Sequence, residues 1–304
     1  MKIGYFADGP WSHKALERIV SDERLEVAFI VPRYDSQDPI LKDWADKLGV
    51  SFILLEDVNS KDSLNILKNF HAEVFVSMSF NQILKKEILS IPEKGFINCH
   101  AGALPFYRGR NILNWALIND EKEFGVTVHY IDEGIDTGDI ILQNKAPITD
   151  DDCYKTLLEK AIDLCDKTLY QALLNILNGK NQRIEQKEIH PVGSYFGRRR
   201  DGDEWINWEW TTRRIFNFIR AINDPGPCAQ TMFKDNIIKI RSSKEIPNSP
   251  DYICTPGEIV GRSSDSLVIK TGDSTLLINS YDNLDKKNDE ILHSLRIGNR
   301  LFKP

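Results

Sequence analysis

The chain has 304 residues, of which 41% are hydrophobic and 28% are charged, as is usual for a globular protein of about two domains. Its net charge of −6 argues against a nucleic acid as the main partner, because affinity for a phosphate backbone comes largely from Lys and Arg. No apolar run approaches the roughly 18 residues that a membrane span requires, so we expect no membrane partner.

The amino terminus, MKIGYFADG, leads directly into a strand pattern without the features of a signal peptide, which predicts a cytoplasmic protein. There are five cysteines, and no two have the close spacing of a zinc or redox motif. We therefore expect free thiols, no disulfide and no metal. The segment GYFADGPWS lacks the glycine spacing of a dinucleotide-binding turn, which argues against a nicotinamide cofactor.

Five short apolar runs in the first half alternate with stretches of helix length; they are KIGYFA, LEVAFIVP, SFILLE, EVFVSMSF and GFINCHA. This alternation predicts βαβ units with a mostly parallel sheet, whose ligands bind beyond the carboxyl ends of the strands. Asn98 and His100 stand at the end of the fifth run, two residues apart. Because side chains in a strand alternate faces, both should point into the same crevice.

Two further strands are predicted, FGVTVHYID and DIILQNKAPI, and then a helix over 151–178 that ends at Gly179. The pattern changes after a polar connection, which places a domain boundary within 180–205. Beyond it, one amphipathic helix and several short strands with glycine turns indicate a small barrel or sandwich. The predicted domains are 1–190 and 200–304.

Residues 96–143 resemble the folate-dependent formyltransferases, because Asn98, His100, LPFYRGR, NW, GVTVH and IDTGDI occur in the order and spacing of that family. The resemblance implies a Rossmann-like catalytic domain that uses N10-formyltetrahydrofolate. It also implies a catalytic trio of Asn98, His100 and Asp136. Residues 257–281 resemble the family's C-terminal barrel, so the second domain is expected to be β-rich and OB-like.

The chemistry of formyl transfer suits these three residue types. An amide N–H from Asn98 can stabilise a tetrahedral oxyanion, an effect worth roughly 2.7 to 4 kcal/mol where such donors have been removed. The His100 imidazole can move the proton between the acceptor amine and the departing folate nitrogen. A carboxylate at Asp136 can orient that imidazole. His129, within a predicted strand, is interpreted as a structural histidine.

The resemblance implies that the pterin is held mainly by backbone groups of two loops. These groups belong to Gln82, Ile83, Leu84, Asp132, Glu133, Gly134 and Ile135. An alternative for Gln82 is that it simply begins a surface helix. The chain departs from the family at Gly102, where Ser is common, and at 111–112, where Ala-Pro is common. These departures leave the loop shape and the acceptor preference in doubt.

Three acceptor classes occur in the family: glycinamide ribonucleotide, methionyl-tRNA and nucleotide-linked amino sugars. The first is disfavoured, because its enzymes are typically single-domain and carry a glycine-rich phosphate loop that this chain lacks. The segment SYFGRRRDGDEW is similar to one in sugar-nucleotide formyltransferases. Arg198 and Arg199 could grip a diphosphate bidentately, with Tyr195 or Phe196 available to stack on a base or sugar, and the alternative is that the arginines form a solvated face. Trp11, at the end of the first strand, is a second stacking candidate or plain packing, and Arg108 is a further predicted substrate contact.

The prediction is therefore a sugar-nucleotide N-formyltransferase acting on a dTDP- or UDP-linked amino sugar for lipopolysaccharide O-antigen or related surface glycans. Methionyl-tRNA formyltransferase is the alternative, and a catalytically silent binding protein is a third class. The expected partners are folate, the nucleotide sugar and a second copy of the chain in a homodimer, with no nucleic acid.

Overall fold

The computed structural model describes residues 1–263, 265–284 and 290–304. The chain divides into two compact units, the first made of 1–112, 124–146 and 159–196, and the second of 113–123, 147–158 and 197–304. The predicted domain 200–304 includes residues 264 and 285–289, which lie outside the described residues. The predicted domains, 1–190 and 200–304, stay a prediction about folding units.

The described strands and helices follow in chain order. The strands are β1 (Lys2–Ala7), β2 (Glu26–Val31), β3 (Ser51–Phe52), β4 (Val74–Met78), β5 (Phe96–His100), β6 (Arg108–Gly109), β7 (Glu123–Tyr130), β8 (Ile140–Pro147), β9 (Tyr195–Phe196), β10 (Ala229–Phe233), β11 (Asn236–Glu245), β12 (Ile259–Ser263), β13 (Ser266–Lys270) and β14 (Thr275–Asn283). The helices are α1 (Gly9–Val20), α2 (Pro39–Leu48), α3 (Lys61–Lys68), α4 (Lys86–Leu89), α5 (Ile112–Ile118), α6 (Tyr154–Leu177), α7 (Gln186–Ile189), α8 (Thr212–Ile222) and α9 (Glu290–His293). None of these helices is long and apolar enough to cross a membrane.

The first unit is built on a seven-stranded sheet in the order β3-β2-β1-β4-β5-β7-β8. The strands from β3 to β5 pair in parallel, and β7 is antiparallel to β5. This confirms the predicted mostly parallel sheet. The strand β4 is buried at every position, as expected for a parallel strand covered on both faces.

An aromatic cluster fills one side of this sheet. The rings of Phe6 and Phe96 lie 4.9 Å apart, and Phe29 meets Phe75 edge to face at 5.5 Å. Such pairs add about 0.5–1.5 kcal/mol to the gain from burial alone. The cluster therefore anchors the strands whose carboxyl ends carry the polar side chains described below.

Two element boundaries differ from the predicted ones. β3 has two residues rather than six, because the backbone beyond it bonds elsewhere: Leu55 O accepts from the side chain of Gln82, and Val58 N donates to it. The long helix begins at Tyr154 rather than 151, because the Asp152 carboxylate accepts a hydrogen bond from Thr149 N at 2.8 Å and holds a turn there.

The second unit carries an antiparallel sheet in the order β10-β11-β14-β13-β12. Residues 299–302 join its two edge strands, because Met232 N donates to Phe302 O at 2.7 Å and Ile259 N donates to Asn299 O at 2.8 Å. These bonds satisfy backbone groups on both edges. The fold class is confirmed, since a mostly parallel α/β domain is followed by an antiparallel β-sheet domain. Of the two predicted forms of the second domain, the bonds of residues 299–302 to both edge strands favour a barrel over a sandwich.

Candidate active site

Asn98 and His100 project from the same face of β5. Between and before them, Cys99 and Ile97 are 7% and 0% exposed on the opposite face. In the antiparallel pairing with β7, Asn98 lies directly opposite His129, and His100 lies opposite Thr127. Period-two alternation and this register place four polar side chains on one small area of the sheet.

Asp136 reaches the same area from the loop that follows β7. Asn98 Nδ2 donates to its Oδ1 at 3.5 Å, and His100 Nδ1 lies 3.7 Å from its Oδ2. The residue has a φ of +54°, in the left-handed region that aspartate adopts more readily than most residues. The structure thus brings together all three residues of the predicted trio.

The Asp136 carboxyl is strongly biased toward its ionised form. Burial raises the pKa of this carboxyl, but the charge of His100, a hydrogen bond from His129 and the Gly109 N–H together bring the pKa well below its usual range. Gly109 N donates to Oδ2 at 2.9 Å, and the side chain is only 14% exposed. Asp136 is therefore an anion at neutral pH, facing the imidazole of His100.

The two ring nitrogens of His100 have different roles. Nε2 lies 2.7 Å from the carbonyl oxygen of Tyr107. Because a carbonyl can only accept a hydrogen bond, Nε2 must carry a hydrogen in this arrangement. Nδ1, beside Asp136, is then the nitrogen that can gain or lose a proton without breaking that bond.

His129 takes a larger part in the site than the interpretation of a structural histidine suggested. Its side chain is 2% exposed, and its Nδ1 lies 2.7 Å from Tyr130 O. Its Nε2 lies 3.3 Å from Asn98 Nδ2 and 3.6 Å from Asp136 Oδ1. It can therefore either accept from the amide of Asn98 or, when protonated, pair with Asp136.

Gly102 provides the space in which His100 and Tyr107 approach each other. A Cβ atom at this position would lie 2.4 Å from Tyr107 O and 2.5 Å from His100 Nε2. Glycine in place of the serine common in the family therefore leaves room for the close contact between the Tyr107 carbonyl and the His100 imidazole.

Gly102→Ala should disturb this contact and shift the His100 ring. We expect kcat to fall by up to about 10²-fold, the effect of a misplacement of about 1 Å. Gly197→Ala is the control, because a Cβ at Gly197 meets nothing within 4 Å. Steady-state kinetics on both variants tests this, and an unchanged kcat for Gly102→Ala would show that the contact is dispensable.

Two loops near this face carry the residues predicted to hold the pterin. Ile83 and Ile135 are 83% and 59% exposed, whereas Leu84 packs in the aromatic core. The side chain of Gln82 is hydrogen-bonded to the backbone of Leu55 and Val58. The carboxylate of Asp132 accepts a hydrogen bond from Gly134 N at 3.0 Å. Exposed apolar side chains on loops fixed in this way suit a flat heterocycle such as a pterin. Glu133 is exposed in the second loop.

Arg108 is bonded within the protein, and its predicted role as a substrate contact stays a prediction. Its guanidinium donates twice to Gln186 Oε1, at 3.0 and 2.7 Å, and once to Val192 O at 3.1 Å. Tyr195, its partner in the short β6–β9 pairing, is 58% exposed. Trp11 is half-buried in the first turn of α1 and not at the end of the first strand, because β1 ends at Ala7.

The predicted diphosphate clamp consists of two arginines in different environments. Arg198 is exposed, but the Arg199 side chain is only 9% exposed and donates to Asp203 O at 2.7 Å. Its guanidinium lies 5.7 Å from the ring centre of Phe218, and burial lowers its pKa. The two side chains therefore do not present a joint bidentate surface.

Comparison with known proteins identifies the family. Residues 16–173 match the formyl transferase model, and residues 199–294 match the model of the formyl transferase C-terminal domain. The chain belongs to the formyl transferase family. It is accordingly a folate-dependent enzyme that uses N10-formyltetrahydrofolate, as the motifs predicted. In the part of the chain that the structure describes, no three His, Cys, Asp or Glu side chains are grouped as a metal ion would need.

Curated relatives differ from the solved structures in the acceptor that they indicate. Proteins named methionyl-tRNA formyltransferase include one from Pelotomaculum thermopropionicum, 34% identical over 77% of this chain and 73% of the relative. Another, from Caldanaerobacter subterraneus subsp. tengcongensis, is 32% identical over 91% of each chain. An N-formyltransferase from Helicobacter canadensis, solved with folinic acid and dTDP-3-aminofucose, covers 93% of this chain and 100% of its own at a TM-score of 0.70. Its sequence identity is 23%, so this likeness shows the fold.

These relatives overturn the predicted sugar-nucleotide acceptor. Matches along most of both chains are named for methionyl-tRNA, and the sugar acceptor has only a likeness of fold. The same relatives argue against the expectation that nucleic acid is excluded as a partner. The arginine cluster, residues 198–200, was misleading, because Arg199 is buried against Phe218 and Glu204 within the second unit.

Proposed function

We propose that this formyl transferase carries the formyl group of N10-formyltetrahydrofolate to the α-amino group of methionyl-tRNA. The observation that carries the proposal is the agreement in sequence with methionyl-tRNA formyltransferases along 91% of both chains. The predicted homodimer stays a prediction.

The distribution of charge supports a tRNA acceptor better than the total does. Residues 197–304 contain 17 Lys and Arg against 15 Asp and Glu, a net charge of +2. Since the whole chain has a net charge of −6, residues 1–196 carry −8. A charge difference between two parts of a chain is typical of proteins that contact nucleic acid with one of them. The net charge of −6 averages over this difference and was therefore a poor guide to the partner.

The trio divides the chemistry of formyl transfer among three side chains. Folate supplies the formyl group, and the amide of Asn98 donates to the oxygen that gains negative charge as the amine attacks. His100 accepts the proton that the amine loses and returns a proton to the departing nitrogen of folate. Asp136 orients the imidazole and stabilises it while the imidazole carries the extra proton. It can do so because its carboxylate is ionised and its Oδ2 lies 3.7 Å from His100 Nδ1.

Assays of the purified enzyme with several acceptors test the proposal. With N10-formyltetrahydrofolate, methionyl-tRNA should yield formylmethionyl-tRNA, and free methionine should not react. Binding should weaken steeply with added salt, because tRNA association releases counterions. dTDP- and UDP-linked amino sugars serve as comparators under the same conditions. Formylation of a sugar nucleotide without formylmethionyl-tRNA would refute the proposed acceptor.

A further inference from the structure

Gln186 is a buried glutamine whose amide is fully bonded at the back of the Asp136 loop. It stands at the start of α7 and is 3% exposed. Its Nε2 donates to the carbonyl oxygens of Asp136 and Gly138, both at 2.8 Å. Its Oε1 accepts the two hydrogen bonds from Arg108. All the hydrogen-bonding capacity of this side chain is therefore used on two segments of the candidate site.

These bonds belong to a closed ring that includes the carboxylate of Asp136. Gly109, the residue after Arg108, donates its N–H to Asp136 Oδ2. The ring runs from the Asp136 carboxylate through Gly109 and Arg108 to Gln186, and returns to the Asp136 carbonyl. The carboxylate of Asp136 is thus bonded directly to the short strand β6, and its backbone carbonyl is bonded to the same strand through Gln186.

The backbone of Asp136 needs such support. A φ of +54° is unfavourable for a residue other than glycine, and it persists only where the surroundings hold it. Gln186 binds the carbonyls on both sides of Thr137, which fixes the direction of the loop just where the carboxylate leaves it.

We propose that Gln186 is a positioning residue for Asp136 and that Arg108 acts through it. The inference rests on the catalytic role of Asp136 in the proposed function but not on the identity of the acceptor. A primary amide is required, because the position needs two donors toward carbonyls and one acceptor toward a guanidinium. Glutamate offers only acceptors when ionised, and methionine offers neither strong donors nor strong acceptors.

Gln186→Glu and Gln186→Met test the proposal through kinetics. We expect kcat to fall by up to about 10²-fold, while KM for folate and for methionyl-tRNA changes little, since neither variant alters a proposed substrate contact. The matched control is Asn144→Asp, which also exchanges an amide for an acid. Asn144 is a half-buried residue of β8 in the seven-stranded sheet, and its side chain donates to Thr168. The control variant should keep kcat close to that of the wild type. A loss in kcat no greater than in the control would overturn the proposal.

A double-mutant cycle separates positioning from general damage to the fold. In an Asp136→Asn background, Gln186→Met should have little further effect on kcat, because the group that it positions has already been disabled. Multiplicative losses in the double variant would overturn the proposal. If neither Gln186 variant folds, as judged by circular dichroism, Gln186 belongs to the fold and the proposal is also wrong.

A nuclear magnetic resonance measurement keeps the test independent of the acceptor. The ring signals of His100, assigned with His100→Asn, should shift in Gln186→Met and stay in place in Asn144→Asp. If the wild type fails to formylate methionyl-tRNA, the proposed acceptor is refuted, while the His100 signals still decide the role of Gln186. Unshifted signals in Gln186→Met would count against that role, whatever the acceptor.

Discussion

His100→Ala should lower kcat by about 10²–10⁴-fold, the usual contribution of a general acid–base group, while the protein stays folded. The imidazole is partly accessible, with 11% of its side chain exposed, and its Nδ1 lies beside an ionised carboxylate. The alanine variant keeps Asn98, so stabilisation of the oxyanion should persist and a low residual rate should remain.

Single-turnover kinetics with N10-formyltetrahydrofolate and methionyl-tRNA measure this loss directly. His71→Asn is the matched control, because His71 is an exposed histidine and asparagine also tolerates its φ of +51°. It should turn over at the wild-type rate. A folded His100→Ala enzyme with nearly normal turnover would show that another group moves the proton.

Local sequence patterns were sufficient to predict the position of the first two site residues. The period of two in FINCH puts Asn98 and His100 on one face, and a parallel sheet puts that face at the carboxyl ends of its strands. Asp136 was assigned only through the family motif, because a loop residue has no periodicity that reveals where its side chain lies.

His129 and Gln186 show what such patterns leave out. His129 meets Asn98 only because β7 is antiparallel to β5 in a register that pairs these two residues, and the sequence did not specify that register. Gln186 is 50 residues from Asp136, and it lies within the polar connection for which the sequence predicted no helix or strand. A long-range hydrogen bond of this kind leaves no repeating signal.

The arginine cluster shows a similar limit for charged residues. Three consecutive arginines read as one exposed surface, but Arg199 is bonded to Asp203 O while Arg198 is exposed. An arginine stem can pack on apolar groups as readily as its head binds a ligand, so the letters alone do not separate the two uses. The acceptor was predicted wrongly because this ambiguity was resolved toward binding.

Asp136→Asn should lower kcat by about 10²–10⁴-fold, because a neutral amide no longer stabilises the imidazole of His100 while it carries the extra proton. The change keeps the size of the side chain and can keep the hydrogen bond from Gly109 N, so the loop should hold its shape. Asp43→Asn is the comparison, since Asp43 is an exposed carboxylate on α2 and belongs to no part of the candidate site. Its effect on kcat should be much smaller.

The same variant should change how stability depends on pH. The pKa of Asp136 is lower in the folded than in the unfolded chain, so this carboxylate stabilises the fold above the unfolded pKa of about 3.9. That contribution is lost as the pH falls from this value through the folded pKa. Asparagine does not titrate, so the free energy of unfolding of Asp136→Asn should fall less between pH 5 and pH 3 than that of the wild type. Urea denaturation at the two pH values measures both slopes, and equal slopes would mean that the folded site does not favour the ionised carboxyl that His100 needs beside it.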